Sequence, residues 1–172
     1  TFSEIVVINW LREMIGYEVN MNPKNILDVG GIPTAGGSMA NAVAFLLMRE
    51  SKFPGTMKNG MVFDPRKVRI FEAYGANHHS NRDALGWLGL GQANVVDVKP
   101  TANFTIDLHD LVEKIDECRA KDDVVLALIA YCGETRTMAI DNFVALSAIA
   151  RKYDMWFHVD AAYGFPLCAS KK

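Results

Sequence analysis

The sequence predicts an α/β fold, a mostly parallel sheet flanked by helices. Two observations carry that expectation. Four short apolar runs, at 68–71, 94–98, 124–130 and 155–159, have the length and β-branched content of strands. Stretches with helical apolar spacing separate them, and strands alternating with helices join in parallel, with helices covering both sheet faces. A chain of 172 residues is long enough for one domain with a substantial core.

Each element has a local reason. Ser3 is placed to cap a first helix, in which Val7, Trp10, Leu11 and Met14 recur at helical spacing and Gly16 is a stop. A loop rich in Gly, Pro and Asn follows from Asn20 to Gly37. A second helix is expected over 38–50, and Pro54-Gly55 closes that region. After the strand at 68–71, a helix is expected over 81–88 and a strand over 94–98. Asp107 caps a helix through Arg119, the strand 124–130 follows, and a helix over 141–152 precedes the last strand. The chain shows no internal repeat and no low-complexity segment.

Half the residues are hydrophobic, 22% are charged and the net charge is −2, which argues against nucleic acid or an acidic membrane surface as partner. No apolar run approaches the roughly 18 residues of a membrane span, and residues 1–4 carry no basic targeting region. Cys118, Cys132 and Cys168 form no CxxC pair, so neither a disulfide framework nor a zinc site is expected, and the cytoplasm is the expected compartment. The chain starts without a methionine and stops at Lys171-Lys172, and it is expected to be a piece of a longer protein.

Four segments hold chemistry-bearing residues. The last strand and turn, MWFHVDAAYG, end in Asp160 followed by two alanines and a glycine. Ligands of α/β sheets sit just beyond the carboxyl ends of strands. Asp160 therefore reads either as a charge partner for a flat cationic ring or as an ordinary solvated acid. The loop Pro33-Thr34-Ala35-Gly36-Gly37-Ser38 runs directly into a helix. It offers free N–H groups, a positive dipole end and a hydroxyl, which suit a phosphate, or else it is a glycine turn with Ser38 as N-cap. It lacks both the GK[ST] of a Walker loop and the GxGxxG dinucleotide fingerprint. His78-His79 stand at a strand-to-helix corner, where a neutral imidazole can stack on an aromatic ring or shuttle a proton, or where both are loop histidines. Further ligands for a metal are not evident. His109 reads as solvated and His158 as a core or supporting residue. Cys132-Gly133-Glu134-Thr135 closes the third strand, where Thr135 could hydrogen-bond a ligand or simply form a turn, and no base is identifiable to activate Cys132.

Taken together, these segments resemble the pyridoxal-phosphate-dependent group II amino-acid decarboxylases, which include glutamate, cysteine-sulfinate and aromatic amino-acid decarboxylases. TAGGSMAN (Thr34–Asn41) is similar to their phosphate loop, HHSNRDALGWLGLG (His78–Gly91) to their H-x-S segment, and HVDAAYG (His158–Gly164) to their cofactor-ring motif. Order and spacing agree over nearly the whole chain. The run MRESKFPGTMKNGM (Met48–Met61) is most similar to the glutamate and cysteine-sulfinate branch. The resemblance implies the large domain of fold-type I (aspartate aminotransferase-like) enzymes, with residues 1–172 as a partial copy truncated at both ends. It implies pyridoxal phosphate as cofactor, an amino-acid substrate that is acidic and glutamate-like, and a homodimer in the complete protein. By the same resemblance, Gly37 and Ser38 would hold the cofactor phosphate. His78 would stack on one face of the ring and Ala162 on the other, Asp160 would pair with the ring nitrogen, and Thr135 would touch its phenolic side. His78 and Asp160 would be the catalytic pair.

Three departures from the family pattern stand out. Cys132-Gly133-Glu134-Thr135 replaces the usual Ala-Gly-Thr-Thr and is expected to bring an acid near the ring. Phe165 replaces the second glycine after the Asp-Ala-Ala-aromatic run. The Schiff-base lysine is expected well beyond Asp160, and Lys171 and Lys172 come too soon for that place, so this segment alone is expected to be inactive. The alternatives are a degenerate domain that binds cofactor or a partner without chemistry, an aminotransferase or lyase of the same fold, and a nicotinamide-binding domain.

Overall fold

A computed structural model describes residues 1–75 and 78–170. Four strands, β1 (Val68–Ala73), β2 (Val95–Val98), β3 (Val124–Tyr131) and β4 (Trp156–Asp160), form one sheet in the order β2-β1-β3-β4. Every pairing is parallel, with Ile70 beside Val95, Phe71 beside Leu128 and Tyr131 beside Asp160. The expected parallel sheet is thus observed, and its strands begin or end within two residues of the expected positions.

The helices are α1 (Phe2–Met14), α2 (Gly37–Lys52), the single turn α3 (Thr56–Asn59), α4 (His79–Trp87), α5 (Leu108–Ala120) and α6 (Phe143–Lys152). α5 and α6 pack on each other and on β3, while α2 packs on α4 and β4. This split follows from topology. The crossover from β1 to β2 runs one way along the sheet, whereas those from β2 to β3 and β3 to β4 run the other way. Right-handed crossovers then place α4 on the face opposite α5 and α6. β3 reads VVLALIAY and is buried along almost its whole length, as a strand covered on both faces must be. Phe45, Met48, Ile70, Phe71, Leu85, Leu111, Ile115, Leu128 and Leu146 fill the core.

Several ends differ from the sequence reading. Thr1, not Ser3, caps α1, accepting from the Glu4 N–H while Glu4 reaches back to the Thr1 amino group. The residues at helical spacing on α1, Val7, Trp10, Leu11 and Met14, are exposed, and its buried residue is Asn9, which exchanges hydrogen bonds with the Asn20 backbone at 2.8 and 2.9 Å. α2 begins at Gly37, so Ser38 lies inside the helix and is not its cap. α4 begins at His79 with His78 as N-cap, because the His78 Nδ1 accepts from the Ser80 N–H at 3.2 Å. Asn142 caps α6. Asp141 is instead buried as an acceptor for the N–H groups of Ile106 and Tyr131, both at 2.8 Å. Asp107 caps α5 as expected, accepting from the N–H groups of His109 and Asp110.

Candidate active site

Between β1 and β3 the chain connections leave in opposite directions, and the crevice beyond the carboxyl ends of such strands is where open α/β sheets bind ligands. A cleft of about 520 Å³ opens there. All six candidate residues, Gly37, Ser38, His78, Thr135, Asp160 and Ala162, line it. They come from four separate segments: the start of α2, the cap of α4, the turn after β3 and the end of β4.

The α2 end of the cleft is built for an anion. Gly36 precedes the helix at φ +142°, a conformation L side chains rarely adopt, and the helix has no side-chain cap. The N–H groups of its first turn are left for a ligand at the positive end of a 16-residue helix. A Cβ at Gly36 or Gly37 would meet nothing within 4 Å, so both glycines border open space.

At the β4 end, Asp160 is half-buried. Its Oδ1 accepts from the Ala162 N–H at 3.3 Å and its Oδ2 from the Asn41 Nδ2 at 3.3 Å. The same Asn41 amide nitrogen donates to the Ser80 Oγ at 3.1 Å, and that hydroxyl lies 2.7 Å from the His78 Nδ1. Since the Ser80 N–H also points at Nδ1, this nitrogen acts as acceptor, and the proton of a neutral imidazole sits on Nε2.

Asn41, Ser80, Tyr131 and His158 line the cleft without having been singled out for it in the sequence. Asn41 and Ser80 lie within the quoted TAGGSMAN and HHSN runs, but their link to Asp160 appears only on folding. The Tyr131 hydroxyl accepts from the Asn81 Nδ2 at 2.8 Å and donates to the buried Glu72 at 3.3 Å. Burial, together with Glu72, drives the Tyr131 phenol far above its ordinary value, so it is a neutral wall of the cleft. His158 is buried against Phe45, with ring centroids 4.8 Å apart and an Nε2 that has no partner among the described residues. Burial pulls its imidazole down to about 4, which keeps it neutral, with Asp160 opposing the shift only in part.

The structure corrects the expectation for Glu134. Its side chain is buried away from the cleft, accepting from the Arg136 N–H (2.9 Å), the Thr137 N–H (2.8 Å) and the Thr137 hydroxyl (2.9 Å). Burial alone would raise its pKa, but the hydrogen bonds from Thr137 and Arg136 outweigh it and hold the carboxyl below its ordinary value. The acid ties its own turn and leaves Thr135 exposed on the cleft. Cys132 is held by a different contact, its carbonyl accepting from the Gly164 N–H at 2.8 Å. Burial raises its thiol, against a nucleophilic role. His79 and His109 lie outside the cleft on exposed helix positions, and Lys171 and Lys172 lie outside the described residues. Among the described residues, no cluster of His, Cys, Asp and Glu could hold a metal ion, and no helix is long and apolar enough to cross a membrane.

The residues present fit pyridoxal phosphate. Uncapped helix N–H groups suit its phosphate, a carboxylate across the cleft suits its ring nitrogen, and an imidazole and a small alanine face the space between.

Comparisons with known proteins agree on one family. The pyridoxal-dependent decarboxylase conserved domain matches residues 1–171. An aromatic-L-amino-acid decarboxylase of Bacillus atrophaeus is 28% identical over 169 residues, covering 98% of this chain and 32% of that protein. Among solved structures, mouse CSAD in apo form superposes with a TM-score of 0.85 at 28% identity, over 98% of this chain and 33% of its own. The glutamate decarboxylase domain of a Vibrio parahaemolyticus diaminobutyrate-pyruvate transaminase and L-2,4-diaminobutyrate decarboxylase gives 0.85 at 30% identity, over 99% and 36%. The chain thus spans about a third of the length of these relatives. A match along nearly every residue, on a superposable parallel sheet, places this chain in the pyridoxal-dependent decarboxylase family, whose cofactor is pyridoxal phosphate.

Proposed function

We propose that residues 1–172 are a partial large domain of a pyridoxal-phosphate-dependent decarboxylase that releases CO2 from an L-amino acid. The observation that carries this reading is the convergence of Gly37, Ser38, His78, Thr135, Asp160 and Ala162 on one cleft at the carboxyl end of a parallel sheet. In the proposal, the N–H groups of Gly37 and Ser38, with the Ser38 hydroxyl, bind the phosphate at the α2 terminus. Asp160 holds a proton at the ring nitrogen, His78 and Ala162 confine the ring from its two faces, and the Thr135 hydroxyl orients its phenolic side. When bound, the cofactor supplies an electron sink for the pair left on Cα as CO2 departs. The neutral Tyr131 and His158 leave Asp160 as the acidic group that faces that nitrogen in this design.

An acidic, glutamate-like substrate is the favoured choice. The run Met48–Met61 supports it, as does the higher identity to mouse CSAD and to the Vibrio glutamate decarboxylase domain (28% and 30%) than to Oryza sativa TDC with PLP and tryptamine (23%). The Bacillus relative is an aromatic decarboxylase, so aromatic amino acids belong in the same assay. We further assign the complete protein to the cytoplasm as a homodimer. The free cysteines fit a reducing compartment, and a second copy would cover the exposed Trp10, Leu11 and Met14 of α1. Asp160→Ala in the full-length protein is expected to abolish CO2 release from glutamate, cysteine sulfinate and aromatic amino acids alike. Near-normal release by that variant would sink the assignment of Asp160, and release from aromatic amino acids alone by the parent protein would overturn the acidic preference.

A further inference from the structure

Asn41 occupies an unusual place for its type. It lies inside α2, where asparagine is disfavoured because its side chain competes for backbone hydrogen bonds. Here that side chain is almost fully buried and is spent across the cleft. Its Nδ2 donates to the Asp160 Oδ2 at 3.3 Å and to the Ser80 Oγ at 3.1 Å. A primary amide has two N–H bonds, so both are committed, one to each partner. The Ser80 hydroxyl, already accepting from Asn41, has its own hydrogen free for the His78 Nδ1 at 2.7 Å. A single side chain therefore links the acid on β4 to the imidazole that caps α4.

We propose that Asn41 is a positioning residue of the cofactor site, orienting the Asp160 carboxylate directly and the His78 ring through Ser80. The inference rests on the proposed cofactor reading and extends it to a residue outside the six candidates. Without Asn41, Asp160 keeps one hydrogen bond among the described residues, from the Ala162 N–H within its own turn. The Ser80 hydroxyl would then lose the donor that directs its hydrogen toward His78. Asp160 and His78 would be loosened together, although they stand on different elements and each keeps one backbone N–H donor.

The test uses the full-length protein and measures the dissociation constant for pyridoxal phosphate, with the melting temperature of the apo-protein as a control. Asn41→Leu keeps the branched shape and removes both donors. It is expected to weaken cofactor binding on the order of tenfold, the size of a lost hydrogen bond to a charged group. Ser80→Ala removes one arm and is expected to cost about threefold, and the double variant about tenfold, because Asn41 and Ser80 act in one chain. A purely structural role would make the two effects multiply. In turnover, Asn41→Leu lowers kcat with little change in KM for the amino acid, since Asn41 acts on the groups that hold the cofactor. Asn41→Ser, with one donor in a smaller side chain, repeats the test if the leucine variant does not fold, with an intermediate dissociation constant expected. Unchanged cofactor affinity in a folded variant, or costs that multiply, would overturn the role of Asn41 and leave the cofactor reading intact. A parent protein that does not bind pyridoxal phosphate would overturn both.

Discussion

His158 makes the fold sensitive to acid, and the effect can be sized. Its imidazole is buried against Phe45, with an ordinary pKa of 6.5 brought down to about 4 by burial. The unfolded chain therefore binds a proton that the folded chain refuses. The stability this neutral histidine contributes is fully present above about pH 6.5 and drains away as the pH falls through the window from 6.5 to about 4. Across the whole window the loss is about 3 kcal/mol, and at pH 5 about 2 kcal/mol. Carboxylates titrate in the same range, so the comparison needs a reference that lacks only this group. His158→Leu is that reference. Urea denaturation of the parent and the variant, followed by tryptophan fluorescence, gives both stabilities at pH 7.5 and at pH 5. The parent is expected to lose about 2 kcal/mol more than the variant over that interval. A difference between them that stays constant from pH 7.5 to 5 would refute a buried neutral His158.

Two further perturbations probe the turns that wall the cleft. In Gly164→Ala the new Cβ would stand 2.6 Å from the Cys132 carbonyl carbon and overlap its oxygen, at the point where the β3 and β4 turns touch. That backbone cannot retreat cheaply, and a loss of about 1–3 kcal/mol in denaturant unfolding is expected, with weaker cofactor binding. Stability equal to the parent's would show that the two turns are not in contact. Glu134→Ala removes the acceptor for four hydrogen bonds from Arg136 and Thr137 and is expected to cost about 2 kcal/mol at neutral pH. Because its pKa is lowered in the folded chain, that contribution is present above the ordinary carboxylate value and fades as the pH falls through the folded one. Equal parent and variant melting temperatures at neutral pH would return Glu134 to the solvent.

Much of this protein is legible one segment at a time. The strand at 124–131 announces itself because a strand covered on both faces must be apolar throughout. The Asp107 cap is visible because a helix start needs a side-chain acceptor within three residues. The end of β4 is marked by an acid followed by small residues, and the start of α2 by glycines that only a tight, uncapped helix start requires. These are local demands, met by residues close in sequence, and together with the family resemblance they pointed at six of the residues that line the cleft.

Other features depended on which segments the fold brings together. Glu134 looked like an acid at the ligand, but the tight turn after β3 offered it two backbone N–H groups, a hydroxyl and the Arg136 guanidinium, and it does not line the cleft. Ser38 looked like a cap, yet α2 starts one residue earlier. Val7, Trp10, Leu11 and Met14 of α1 have helical spacing, which cannot say whether anything packs against them, and among the described residues they stay exposed. Asn41 carried no signal of its own, because its partner Asp160 lies 119 residues away. The sequence by itself determined the parallel sheet, since this follows from periodicity and local caps, and its resemblance to a known family pointed to candidate residues at the carboxyl edge. Only the tertiary structure decided which polar groups hold one another, since a hydrogen bond needs two atoms about 3 Å apart and a sequence does not state distances across a sheet.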